Sequence, residues 1–397
     1  MSRSGPGILF ISHDSGRTGA PIGLLAFMQW LHANTHYRIG TILRAPGPLE
    51  PSFRALGPTL TLGSSFLARS RFGRRLRRRL PRSLQEERGS IRRFFAKGDF
   101  QLIYSNTMTN GLVLDALAGT GVPVVTHVHE LAYWISRAGP ENLRQVIAHS
   151  TAYVAAAQAV RNNLRENHQI SAEKISVVYE HIRELPSVPS AADRIRARKL
   201  LGIPDGAIVV GGCGAEHWRK GRDLIPLLLV ALRRYAPAKA VHFVWIGRPG
   251  NDVDEVALAH DLRTAGVETL FRSSGEVDNP FELFPAVDVF ALLSRDDPYP
   301  LAALEVAATE TPILCFDGAG GMPEFVQGDC GFAAPYLDLD AMASAVVRLT
   351  SDSALRAVYG RNARRKVATE NLLATTGPQL LAVIERQLAV RRTSAAS

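Results

Sequence analysis

Cysteine is scarce in this chain: Cys213, Cys315 and Cys330 are the only three in 397 residues, without CxxC spacing or a histidine at metal-ligand spacing. That excludes a disulfide framework and a zinc site, and it fits a reducing compartment. No stretch approaches the roughly 20 apolar residues needed to span a bilayer. The first apolar run, Ile8 to Ile11, is too brief for the core of a secretory signal. The expectation is a cytoplasmic protein. Two nucleotide fingerprints are missing as well. The first loop has Gly16 and Gly19 but no G-x-G-x-x-G, and no G-x-x-x-x-G-K-[ST] occurs, so a Rossmann dehydrogenase or a P-loop protein lacks its key feature. Asp252-x-Asp254 and Asp338-x-Asp340 imitate metal-binding acid pairs, but they stand away from the strand ends and read as solvated loop acids.

What is present is a globular composition, 46% hydrophobic and 21% charged. At about 150 residues per domain the length predicts two lobes. The net charge of +9 is concentrated. Ala68 to Gly98 holds eleven Arg, one Lys and two Glu, a net of +10, which leaves the remaining chain at −1.

Short apolar runs alternate with helix-like stretches in two series. The first comprises Ile8 to Ile11, Tyr37 to Leu43, Leu102 to Tyr104, Val122 to Thr126, Ala152 to Ala156 and Ile175 to Tyr179. Arg183 to Ala192 reads as a linker, followed by a helix from Ala192 to Leu201. The second series is Ile208 to Gly212, His242 to Ile246, Leu270 to Arg272, Val287 to Leu292 and Pro312 to Phe316, with a helical pattern from Leu339 to near Val390. Such alternation implies an α/β protein of two Rossmann-like, doubly wound lobes, and ligands then bind at the carboxyl ends of the strands.

Three segments carry chemistry. In Ser294-Arg295-Asp296-Asp297-Pro298-Tyr299-Pro300-Leu301, Asp297 is expected at a strand end and Glu305 on the helix behind it. Carboxylates accept hydrogen bonds from sugar hydroxyls, and a helix start near Leu301 suits a phosphate. The turn Asp317-Gly318-Ala319-Gly320-Gly321, ahead of Pro323-Glu324, allows close backbone approach to a ligand. Second, Gly211-Gly212-Cys213-Gly214 ends a strand before Trp218-Arg219-Lys220-Gly221, where glycines and cations can cradle a diphosphate and neutralise it as it departs. Third, the N-terminal half offers Thr18-Gly19-Ala20-Pro21 and Thr126-His127-Val128-His129-Glu130-Leu131. His127 and His129 alternate along a strand and share a face, so the choice between them stays open. Taken alone, a strand histidine is more often structural and an Arg-Lys pair at a helix start more often solvated.

Asp297 and Glu305 resemble the E-x7-E signature of the family 4 retaining glycosyltransferases, with Asp in place of the first Glu. The glycine turn with Pro323-Glu324 is similar to the family's GG-x-PE element, and Lys220-Gly221 to its phosphate-binding Lys-Gly. Where the family often has an additional Arg after the strand, this chain has Ala215, leaving Arg219 as the substitute. Gly19 matches the family's first glycine loop and His129 its strand-end histidine, while Glu180-His181 resembles the segment leading into the interdomain crossover.

The resemblance implies a GT-B fold, two lobes facing a central cleft. Residues 1–183 would form the acceptor-side domain and 184–374 the nucleotide-sugar domain, with a helix at about 375–397 packing back on the first. It implies retaining, metal-independent hexosyl transfer from a nucleoside-diphosphate-sugar donor to a hydroxyl of a glycan or lipid-linked acceptor, in surface polysaccharide biosynthesis and without a cofactor. His129, Lys220 and Asp297 take catalytic roles. Gly19, Arg219, Leu301, Glu305, Gly320, Gly321 and Glu324 bind the donor, Glu305 through the ribose. A catalytically silent nucleotide-sugar-binding module is the alternative, motivated by Ala215 and Asp297.

The tract Arg69 to Lys97 interleaves cations with apolar residues, and Leu76, Leu80 and Leu84 recur every four positions, broken near Pro81. A basic amphipathic helix of this kind suits an anionic membrane surface, here the inner face of the plasma membrane. Nucleic acid, disfavoured as a partner, and a merely solvated helix are the rivals, which the sequence separates poorly.

Overall fold

The computed structural model describes residues 5–63, 84–215, 217–237 and 240–396. The chain divides into two compact units, Met1–Arg183 with Leu373–Ser397, and Glu184–Leu372.

The first unit is built on a seven-stranded sheet of β1 (Gly7–Ser12), β2 (Arg38–Leu43), β3 (Thr59–Thr61), β4 (Phe100–Asn106), β5 (Val124–Val128), β6 (Ala152–Ala155) and β7 (Ile175–Val177), in the order β3-β2-β1-β4-β5-β6-β7. All of its pairings are parallel. Every residue of β1 is buried, the pattern of a strand covered by helices on both faces. Ile8 and Phe10 pack with Leu24, Phe27 and Leu31 of the helix Gly19–Asn34, and with Leu380, Val383, Ile384 and Leu388 of the helix Leu373–Ala396. Each such buried side chain contributes about 1.5–3 kcal/mol, so the C-terminal helix is part of this core. It lies close enough that a Cβ added at Gly377 would sit 2.8 Å from the Trp30 ring.

The second unit has six strands, β8 (Ile208–Cys213), β9 (Val241–Ile246), β10 (Phe271–Ser273), β11 (Val289–Leu292), β12 (Ile313–Phe316) and β13 (Gly331–Ala334), in the order β10-β9-β8-β11-β12-β13, again all parallel. Four of its helices begin where side chains replace missing backbone acceptors. Ser190 and Asp193 form a reciprocal capping box on the helix Ala191–Leu200, and Asn251, Asp338 and Asp352 cap three further helices.

Two strands, β3 and β13, were not foreshadowed by apolar runs. Both are edge strands of three or four residues, and β13 reads Gly-Phe-Ala-Ala, so neither shows the continuous β-branched signal of a central strand. Of the basic tract, residues 69–83 lie outside the described residues, including Leu76, Leu80 and Pro81. Its described end is the helix Leu84–Gly98, which is attached to the core. Ile91 is buried, Arg88 pairs with Asp115 at 2.6 Å, and Arg92 donates to the Ala116 carbonyl at 2.9 Å.

Candidate functional site

In the second unit the strand order reverses between β8 and β11, and the carboxyl ends of such strands splay to admit a ligand. The loops that leave these two strands carry Lys220 and Asp297. Beyond β8 the chain crosses Gly214 and enters a 3-10 turn, Trp218–Lys220, that ends on Gly221 in a left-handed conformation, φ +70°. Beyond β11, residues 293–300 lead to the helix Leu301–Ala307.

The loops are laced together. The Arg295 amide donates to the Arg219 carbonyl at 2.7 Å, and its guanidinium reaches Trp218 O at 2.8 Å and grips Asp223 with two bonds at 2.8 and 2.7 Å. A Cβ at Gly221 would lie 1.9 Å from the Leu293 carbonyl oxygen. Both that collision and the positive φ oppose any other residue. Gly221→Ala is therefore expected to lower the urea midpoint, with a loss of about 2 kcal/mol or more; an unchanged midpoint would mean that the two loops are not in contact.

At the centre lies a closed charge cluster. Lys220 Nζ is 2.6 Å from one Asp297 oxygen, Arg219 is 3.0 Å from the other, and the buried Ser294 hydroxyl donates to Asp297 at 3.0 Å. Asp297 is 6% exposed, Lys220 13% and Arg219 20%. Burial alone would raise the Asp297 carboxyl. The charges of Lys220 and Arg219, with the bonds from Lys220 and Ser294, outweigh it and hold the group at about 2. Burial lowers Lys220 below the ordinary lysine value, and Asp297 offsets part of that.

The structure corrects one detail of the sequence reading. Asp297 does not end a strand, because β11 stops at Leu292; it sits in the following loop, in an isolated bridge to Gly320. Its carboxylate is engaged by the two cations. The same bridge ties in the glycine turn, with Asp297 N donating to Ala319 O and Gly321 N to Pro298 O, both at 2.8 Å. Glu305 differs. It is half-buried on the helix Leu301–Ala307, has no hydrogen-bond or ion-pair partner among the described residues, and is pushed up to about 7 by burial. Glu324 lies on the next short helix, Met322–Val326, half-buried.

A cavity of about 530 Å³ lies at the opposite, amino-terminal edge of this sheet, beside Ile208 and Asp288. Its Arg194 and Arg198 are paired with Asp288 at 2.5 and 2.9 Å, so it is remote from Lys220 and structural.

In the first unit the carboxyl ends of β4, β5 and β7 bring together groups distant in sequence. The Glu130 carboxylate accepts the amides of Met108 at 3.1 Å and His129 at 3.0 Å, and burial raises its pKa. His127 and His129 share a face as expected, ring centroids 4.0 Å apart. They differ in their bonds. His127 Nδ1 meets Tyr104 Oη at 2.8 Å, and burial keeps this imidazole neutral, its pKa well below the ordinary value. His129 bonds to Glu180 through Nδ1 and to Asn106 Oδ1 through Nε2 at 2.8 Å. Atoms of His127, His129 and Glu180 fall within 4.8 Å of one another, a spacing seen around cations, but the bonds at His129 are those of an ion pair. Gly19 opens the helix Gly19–Asn34, with Thr18 as its N-cap. Sequence reasoning singled out His129 and Gly19 but not Asn106, which had no motif, and it gave Glu180 little weight.

Two family models cover most of the chain. The model for Glycosyltransferase Family 4 matches residues 31–183, and that for Glycosyl transferases group 1 matches residues 207–352. The chain belongs to the group 1, family 4 glycosyltransferases. Among the relatives of this family member is the D-inositol 3-phosphate glycosyltransferase of Stackebrandtia nassauensis, 27% identical over 66% of this chain and 62% of that protein. The protein of the same name from Salinispora arenicola is 29% identical over 68% of this chain and 65% of its own. The chain thus spans less than two thirds of the length of these relatives. Among solved structures, Anabaena HepE in complex with UDP-glucose superposes with a TM-score of 0.77 at 19% identity, covering 96% of this chain and 99% of that one. A glycosyltransferase from Rickettsia africae gives 0.77 at 14% identity, covering 97% and 99%. At these identities the likeness shows the GT-B fold.

Proposed function

We propose that the protein is a retaining glycosyltransferase that moves a hexosyl group from a nucleoside-diphosphate sugar to a hydroxyl of a glycan or lipid-linked acceptor. The observation that carries this reading is the pair of cations, Lys220 and Arg219, held by Asp297 at the switch point of the second sheet, with a carboxylate, Glu305, that has no partner among the described residues, on the adjoining helix. Fixed cations in a water-poor site stabilise a departing diphosphate, and a carboxylate accepts hydrogen bonds from a ribose diol. The glycine turn at Gly320 and Gly321 and the backbone at Leu301 are the close-approach elements for the phosphates. The UDP-glucose bound to Anabaena HepE supports the same donor class.

In this mechanism the bond from the anomeric carbon to the diphosphate oxygen breaks, and the acceptor oxygen bonds on the same face. The acceptor proton passes to the departing phosphate oxygen. Asp297 acts as a positioning residue for Lys220 and Arg219. Incubating the protein with donor and acceptor and reading the anomeric configuration of the product by NMR tests this. An inverted product, or a sugar trapped covalently on an Asp or Glu, would overturn it. The second reading, a binding module without transfer, is favoured by Ala215 and by the engaged Asp297; donor binding with no nucleoside diphosphate released under any acceptor would select it.

Glu305 gives a pH test. A carboxyl at about 7 in the free protein must ionise to accept two ribose hydroxyls, so donor affinity is expected to rise as pH increases from 6 to 8, with proton release on binding. Calorimetry in buffers of different ionisation enthalpy measures the release. Glu305→Gln should abolish both effects, and proton uptake by the wild type would contradict the assignment.

The acceptor carries the surface polysaccharide reading, supported by the basic tract from Arg69 to Lys97. Cations near an anionic bilayer contribute about 1 kcal/mol each, which would bring the protein to a lipid-linked substrate. Flotation with anionic against neutral vesicles tests the association, and equal recovery with both would remove it.

A further inference from the structure

His129 is bonded on both ring nitrogens, and both partners are oxygens. Nδ1 faces the Glu180 carboxylate, and Nε2 faces Asn106 Oδ1 at 2.8 Å. The orientation of the Asn106 amide is fixed independently, because its Nδ2 donates to the Ala20 carbonyl at 3.0 Å, and a carbonyl can only accept. An imidazole with an acceptor on each side needs a proton on each nitrogen. We infer that Glu180 is a positioning residue that holds His129 as a permanent imidazolium, so that His129 serves the site as a fixed charge and not as a proton-transfer base. The bond chain Glu180–His129–Asn106–Ala20 also ties the ends of β7, β5 and β4 to the Gly19 loop.

The surroundings agree. Around the ring stand Glu180 and His181 from the segment after β7, His127 and Glu130 from β5 and its end, Asn106 from β4 and His13 from the end of β1, while Tyr104 is bonded to His127 and Asp14 lies beside His13. Burial opposes the charge on His129, and Glu180 with Glu130 overcomes it, so the pKa is raised. The neighbouring imidazoles His127, His181 and His13 are pushed the other way, chiefly by burial. One charged imidazole therefore stands among three neutral ones, selected by Glu180. His127 cannot take the role, because its Nδ1 faces the Tyr104 hydroxyl and its Nε2 finds no partner among the described residues.

The test has two arms, of which only the kinetic one rests on the transfer reaction proposed above. In the first, long-range proton–nitrogen NMR of ¹⁵N-labelled wild-type protein follows the His129 ring from pH 6 to 9. Both nitrogens should be protonated at neutral pH, and in Glu180→Gln the ring should lose a proton about one to three pH units lower. A neutral His129 in the wild type, or an unchanged titration in Glu180→Gln, would overturn the inference whatever the protein transfers. In the second, kcat/KM of Glu180→Gln should approach wild type at acid pH, where His129 is charged in both, and fall away at lower pH than wild type as pH rises. Glu180→Asp should restore the profile in part. A uniform loss at every pH would mean that Glu180 is structural only.

Discussion

Lys220→Ala is expected to lower kcat/KM for sugar transfer by about 10²–10³-fold, the cost of removing one preorganised donor from a developing oxyanion. The magnitude follows from where Lys220 sits. It lies against Gly214, at the switch point of the sheet, with its Nζ fixed at 2.6 Å from Asp297 in a site that is 13% exposed or less at both partners. Stability should fall much less than activity, because Asp297 retains Arg219 at 3.0 Å and Ser294 at 3.0 Å. Steady-state kinetics beside a thermal melt separates the two effects. A variant that transfers normally would remove Lys220 from the chemistry; one that does not fold would make it structural.

Asp297→Ala should have the opposite balance, with the larger loss in stability. Removing one member of a buried ion pair leaves its partners charged and unpaired, at about 3–5 kcal/mol. Here two cations are stranded, but both keep some solvent contact, which places the loss at the lower end. Pairing the change with Lys220→Met removes one of the stranded charges, and the double variant should recover part of the stability lost by Asp297→Ala alone. Additive losses would mean that the cluster has no coupling. The pH dependence has a definite sign. Asp297 is held at about 2 in the folded protein, below the value near 3.9 of a free Asp. Its contribution is fully present above about pH 4 and is lost as pH falls through 2. The stability gap between wild type and Asp297→Asn should therefore close over that acid window, measured by urea denaturation. Activity should fall in Asp297→Asn and be retained better in Asp297→Glu, since the charge fixes Lys220 and Arg219.

The parts of the fold most legible in the sequence are the central strands buried on both faces, although the edge strands Ile175–Val177 and Phe271–Ser273 were read as well. Ile8 to Ile11 and His242 to Ile246 read as strands because a central parallel strand is apolar throughout. The edge strands Thr59–Thr61 and Gly331–Ala334 lack that signature and were invisible. The site residues were found as short motifs, each local to one loop. Their partnerships were not, because they depend on which strands are neighbours. Lys220 and Asp297 lie 77 positions apart and meet only because β8 pairs with β11. His129 and Glu180 lie 51 apart, joined by the ends of β5 and β7. For the same reason the sequence showed Asp297 only as a shortened acid of its motif, and its pairing with two cations came from the fold.

The measurement that bears most directly on this account is ligand-induced thermal stabilisation by a panel of nucleoside-diphosphate sugars, run on wild type and Lys220→Ala side by side. One donor should raise the wild-type melting temperature saturably, by the equivalent of about 2.7 kcal/mol at 100 times its Kd, and Lys220→Ala should require at least about tenfold more of it, the equivalent of about 1.4 kcal/mol. No stabilisation of the wild type by any nucleotide sugar, or equal stabilisation of both proteins, would contradict it.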